Sequence, residues 1–261
     1  MQRRLVVSPY GVLAGGILAV STASVLIRFA QQELPSLVIA AGRLSLAALL
    51  LAPLALLRRR QELSGLGWRT WALLGLAGVL LALHFSAWIS SLALTSVASS
   101  VVLVTTTPIW VGLLSGVVLK ERPAGGIWLG MAVALTGGMI VGFSEICTLG
   151  MDGLRCGGLG SLLGGKVLLG NFLALCGAWF ACGYLLVGRG VRGQVSLLTY
   201  VFVVYSAAAM TLVLFAALSG ARLGGYSGRA WGLLFLLALV PQLLGHSADR
   251  KSTRLNSSHR I

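Results

Sequence analysis

Eight long apolar stretches, at residues 10–29, 36–57, 70–92, 96–119, 126–143, 168–187, 196–218 and 230–245, dominate this chain of 261 residues. A hydrocarbon core of about 30 Å takes roughly 20 helical residues to cross, and each stretch reaches or nearly reaches that length. Lipid offers no partner for an open strand edge, so such segments must be helices. The expected fold is therefore an all-α integral membrane protein, a multi-pass helical bundle. Composition agrees: 57% of residues are hydrophobic and 10% charged, with a mean hydropathy of +0.93, far from the range of water-soluble domains. The first stretch could instead be a signal peptide, with Arg3 and Arg4 before it and Ser21, Thr22 and Ala23 as a small-residue cleavage site. Apolarity continues through Val25, Leu26 and Ile27, which a cleaved leader does not need.

A net charge of +14 would suggest nucleic-acid binding in a soluble chain. Here the basic residues fall in short segments between apolar stretches, where they act as topology signals and leave no nucleic-acid partner to expect. Alternate connections carry ten and four Lys or Arg: Arg3, Arg4, Arg58, Arg59, Arg60, Arg69, Lys120, Arg122, Arg189 and Arg192 against Arg155, Lys166, Arg222 and Arg229. Positive residues are retained in the cytoplasm, so the N-terminus is expected there. The connection at 144–165 then faces outward. It holds Cys147 and Cys156, which could pair on an oxidising side or remain free thiols.

Polar groups at lipid depth are costly and often mark pathways. The stretches contain no Asp or Glu. Arg43 lies about two turns into the second, too deep to reach the interface easily, and is a candidate cation for a substrate anion or carbonyl. Arg28, at the outer end of the first, is expected to extend to the interface. His84 and His246 are candidate proton or substrate ligands, and Trp88, one turn beyond His84, could wall the imidazole. Thr106 stands before Pro108, whose ring can kink a helix and free a carbonyl, and Gln242 follows Pro241 in the same way. Each of these residues also has a plain packing reading. No metal-ligand spacing or cofactor motif appears. A serine hydrolase would need Ser115 beside His84 or His246, and a non-transporting membrane scaffold is the other alternative to a transporter.

The segments LHFSAWISSLALTSVASSVVLVTTTPIWVGLLSGVVLKERP (83–123), AAGRLSLAALLLAP (40–53) and LLALVPQLLGHS (236–247) resemble the EamA-like members of the drug/metabolite transporter superfamily. The resemblance implies two inverted five-helix repeats and export or exchange of small polar metabolites, amino-acid or related, through a bacterial inner membrane. Its partners would be a small-molecule substrate and the bilayer, with a homodimer left open. A weak internal match at a shift of about 160 residues, placing His84 near His246, agrees with a repeat. On this reading residues 7–143 form the first repeat, 144–165 the outer loop and 166–248 a second repeat with three of its five helices. Residues 249–261, ADAPTER-like when back-translated, are expected to be a sequencing scar rather than a natural basic tail, with two further helices expected in the natural gene.

Overall fold

A computed structural model describes residues 9–118, 120, 125–150, 153–156, 164–191 and 193–245. The first apolar stretch forms α1 (Pro9–Ser21) and α2 (Ala23–Ala30), separated only by Thr22. Then come α3 (Ser36–Arg58), the short α4 (Arg60–Ser64), α5 (Trp68–Leu94), α6 (Val97–Val104), α7 (Thr107–Val118) and α8 (Gly125–Ile146). Strands β1 (Cys147–Gly150) and β2 (Gly153–Cys156) precede α9 (Gly165–Val191), α10 (Leu197–Leu218), α11 (Gly228–Leu237) and a π-helix at Ala238–Gly245. Among the described residues, six helical segments are long and apolar enough to cross a membrane: Ser36–Arg58, Trp68–Leu94, Val97–Val118, Gly165–Val191, Leu197–Leu218 and Gly228–Gly245. Ala14–Ala30 and Gly125–Val141 are apolar but shorter. The protein is a multi-pass helical membrane bundle.

Local chemistry sets the boundaries. Ser96, Ser196 and Ser227 cap α6, α10 and α11, their hydroxyls accepting from the backbone N–H of Ser99, Thr199 and Ala230, which satisfies donors the first turn leaves open. The other end of α10 closes on Gly220, at φ +71°. Ala221 N–H reaches Ala216 C=O and Gly220 N–H reaches Ala217 C=O, the paired bonds of a Schellman motif. Pro108 sits just inside α7 after a turn at Thr105 and Thr106, so the fourth stretch is broken where its ring cannot donate.

The segment at 144–165, expected as an outer loop, carries regular structure among its described residues. Helix α8 continues to Ile146, and β1 pairs antiparallel with β2.

Helices from the two halves of the chain interleave: α3 packs along α10, α5 along α9, and α2 along α11. Small residues permit the close approaches, as is usual where lipid supplies no hydrophobic drive between helices. A Cβ on Gly78 of α5 would come within 2.5 Å of Ala207 Cβ and 2.9 Å of Val204 O on α10. One on Gly170 of α9 would lie 2.9 Å from both Cβ and N of Thr95. Helix α5 therefore lies at the centre, and α8, with Leu129, Val133 and Ile140 exposed, lies at the rim.

The two ends of α3 are tied to the second half by carboxylates. Glu33, just before α3, accepts from Ser227 N–H at 2.6 Å and from the Ser227 hydroxyl at 2.7 Å. These bonds to the start of α11, aided by Arg229, hold its carboxyl below the ordinary value despite some desolvation. Glu62, in α4 beyond the opposite end of α3, accepts from Ser196 N–H at the start of α10. Partial burial pushes the Glu62 carboxyl up, but hydrogen bonding to Ser196 and Thr199 and the charge of Arg59 outweigh it and leave it lowered.

Candidate functional site

Four helical segments converge on Arg43. The side chain leaves α3, the eighth residue of a 23-residue helix, and is 0% exposed. Its Nη2 donates to Oε1 of Gln242 at 2.7 Å. The guanidinium carbon lies 4.3 Å from the centre of the Phe85 ring on α5, within reach of the ring's negative face. Nε and Nη1 have no partner, and neither has Nε2 of Gln242. No Asp or Glu occurs in α3, α5, α9, α10, α11 or the π-helix, so the cation has no counter-charge on the helices around it.

Gln242 is placed by an irregularity. Pro241 lacks the N–H that an α-helix would use, and the segment Ala238–Gly245 widens into a π-helix. Tyr205 of α10 donates its hydroxyl to the Gln242 backbone carbonyl at 3.3 Å, supplying a partner for backbone that the wider turn disturbs. Both residues are buried.

His84 adjoins this cluster. Its Nδ1 lies 2.9 Å from the carbonyl oxygen of Gly177 on α9. A carbonyl only accepts, so Nδ1 carries the hydrogen and Nε2 of the neutral ring is left as an acceptor. The imidazole stacks on Trp88 at 5.9 Å and 16° and tilts against Phe85 at 4.8 Å. Trp88 is buried and its Nε1 is unpartnered.

The structure thus brings together Arg43, His84, Trp88 and Gln242. It sets Thr106 and Pro108 apart from them. The Thr106 hydroxyl donates to Leu103 C=O at 2.7 Å and accepts from Trp110 Nε1 at 3.1 Å. Pro108 lines an apolar cavity of about 300 Å³ between α6–α7 and α8, with Thr105, Met131 and Gly138. His246 lies outside the described residues. Arg28 does not simply extend to the interface: its Nη1 donates to Leu92 C=O at 2.7 Å, near the end of α5, where a cation complements the helix terminus. Ser115 is buried and donates its hydroxyl to Gly112 C=O at 3.1 Å within its own helix, so that hydrogen is not directed at His84.

Phe85 and Tyr205 belong to the cluster although sequence reasoning passed over them. Phe85 follows His84 directly, yet adjacent helical positions point about 100° apart. Tyr205 offered a weak signal, since a tyrosine hydroxyl at lipid depth needs a partner.

Residues 9–143, more than half of the chain, match the EamA-like transporter family. The chain belongs to the EamA-like transporter family. Through it, the chain falls in the drug/metabolite transporter superfamily. This EamA-like chain is also similar in fold to a solved structure described as "Crystal structure of protein", with a TM-score of 0.65 and 17% identity over 94% of this chain and 80% of that chain. Comparison with curated protein sequences finds no match.

Proposed function

We propose that this EamA-like membrane protein is a secondary transporter that exports or exchanges small polar metabolites, amino-acid or related, across a bacterial inner membrane, with its N-terminus in the cytoplasm. The carrying observation is Arg43: a wholly buried cation whose one hydrogen-bond partner is neutral and whose Nε and Nη1 are empty. Removing a charge from water is expensive unless it is paired. A solute anion would supply the pairing, and the Nε2 groups of Gln242 (donor) and His84 (acceptor) could orient its remaining polar groups. The interleaving of α3 with α10, α5 with α9 and α2 with α11 supports two related halves meeting at this site. The ten-to-four distribution of Lys and Arg supports the orientation.

The test is counterflow of a panel of radiolabelled amino acids in proteoliposomes containing the full chain. Arg43→Ala and His84→Ala should abolish counterflow of any amino acid that the unaltered protein carries, at unchanged reconstitution. Arg28→Ala, which removes a tie to a helix end, should retain most of it. Equal counterflow by all three variants would overturn the assignment of the pathway to this cluster.

A further inference from the structure

The hairpin between α8 and α9 has a register that bears on its cysteines. Cys147 stands opposite Cys156, Thr148 opposite Arg155, Leu149 opposite Leu154 and Gly150 opposite Gly153. Two residues separate Gly150 from Gly153 in sequence. The pair that closes a two-residue connection exchanges backbone hydrogen bonds, and the two kinds of pair alternate outward from it. Three steps out, Cys147 and Cys156 form a non-hydrogen-bonded pair, the closer kind, with Cα atoms about 4.5 Å apart. Disulfides join residues whose Cα atoms are about 4.4–6.8 Å apart. A slip of two residues would add more than about 6 Å along the strands and take the pair out of range. Cys147 also follows Ile146, the last residue of α8, without a break, so the rim helix leads straight into the base of the hairpin.

We propose that Cys147 and Cys156 form a cross-strand disulfide that clamps the base of this hairpin where α8 leaves the membrane. The proposal rests on the topology given under the proposed function, which places 144–165 on the outer, oxidising side. Formation is a two-electron oxidation. One cysteine thiolate attacks the disulfide of a protein thiol–disulfide oxidoreductase and expels one of its sulfurs as thiolate. The second cysteine thiolate then attacks the mixed disulfide, forming the Cys147–Cys156 bond and releasing the reduced dithiol; the two thiol protons pass to the oxidant's sulfurs or to solvent. The other two cysteines, Cys176 and Cys182, are free and lie within α9.

The test is intact mass of the full chain, made in cells without added reductant, acid-quenched and alkylated with N-ethylmaleimide after denaturation. Two adducts are expected before reduction and four after. Cys147→Ser should raise the first number to three, because Cys156 then has no partner. Four adducts on the unaltered chain before reduction would overturn the proposal, and so would a count that stays at two in Cys147→Ser. Purified chain equilibrated with oxidised glutathione in detergent separates the causes of such a failure. Closure there of a glutathione-free bond would locate the error in the topology. Glutathione adducts on Cys147 and Cys156 would locate it in the register.

Discussion

Replacing Gln242 by Leu should lower stability while replacing Arg43 by Met should leave it nearly unchanged, and the difference separates a site built for a solute from a structural tie. Gln242→Leu removes the single hydrogen-bond acceptor of Arg43, 2.7 Å away, and leaves a wholly buried guanidinium with all its nitrogens unpartnered. An orphaned buried polar group costs about 1–3 kcal/mol, more when charged, and removal of the unpartnered Gln242 Nε2 offsets part of it, so a net loss of about 2 kcal/mol follows. Arg43→Met removes the charge itself. The losses are one charge-assisted bond, about 1.5–3 kcal/mol, the contact with Phe85, about 0.5–2 kcal/mol, and an Oε1 of Gln242 left open, about 1–2 kcal/mol. Against them stands relief of two buried unpartnered nitrogens, Nε and Nη1, at about 1–3 kcal/mol each. Methionine fills the same elongated volume with an adaptable apolar chain. The terms nearly cancel, and Arg43→Met should unfold within about 1 kcal/mol of the unaltered protein.

The assay is equilibrium unfolding in mixed detergent and SDS micelles, followed by tryptophan fluorescence, together with amino-acid counterflow. The double variant Arg43→Met/Gln242→Leu should recover most of the stability lost in Gln242→Leu alone, because no buried charge remains, and should transport nothing. A large loss in Arg43→Met with little change in Gln242→Leu would refute the reasoning. It would mean that the guanidinium is held by contacts other than Gln242 and that Arg43 is a structural tie.

Gly78→Ala should cost about 1–3 kcal/mol in the same unfolding assay, since its Cβ would meet Ala207 and the Val204 carbonyl. Gly75→Ala on the same helix, where nothing lies within 4 Å, should be neutral or slightly stabilising; equal effects would place the α5–α10 contact elsewhere. Glu33 is held below its ordinary value by Ser227. A depressed carboxyl adds stability that is present above the unfolded value of about 4.3 and lost as pH falls through the folded value. Thermal stability should therefore drop on acidification below about pH 4, and Glu33→Gln should flatten its part of that drop. A pH profile identical in the two proteins would refute the cap.

The membrane-crossing segments were legible because apolar length alone specifies them, and every stretch read from the sequence contains helix. Arg43, His84, Trp88 and Gln242 were legible for a related reason: a polar group at lipid depth stands out against Leu and Val. What joins them was not. Arg43 and Gln242 are 199 residues apart, and their contact depends on α3 lying against a π-helix that Pro241 creates. Proline announces a disturbed helix without saying whether it kinks, breaks or widens. Thr106 and Pro108 look like Gln242 and Pro241 in sequence, yet the hydroxyls of Thr105, Thr106 and Thr107 fold back on carbonyls of their own helix. In sequence Arg28 looks like an interfacial chain, because the end of α5 that accepts it comes 64 residues later. The hairpin at 147–156 is short, glycine-rich and outside the apolar stretches, where periodicity carries no signal.

The placement of acidic residues bears on the proposed site. Six Asp and Glu face twenty Lys and Arg, and none of the six falls in a helix that contributes to the Arg43 cluster. Glu33 and Glu62 serve instead at opposite ends of α3, where helix N-termini offer donors and a favourable dipole at little desolvation cost. A carboxylate on a neighbouring helix would have bound Arg43 permanently and occupied Nε and Nη1. Gln242 engages only Nη2, supplying enough to keep the guanidinium placed over Phe85 while leaving the other two nitrogens uncommitted. On the proposed reading this division is the basis of transport: a neutral partner holds the cation weakly, so an incoming anion completes its coordination on binding and can leave again without having to displace a charge.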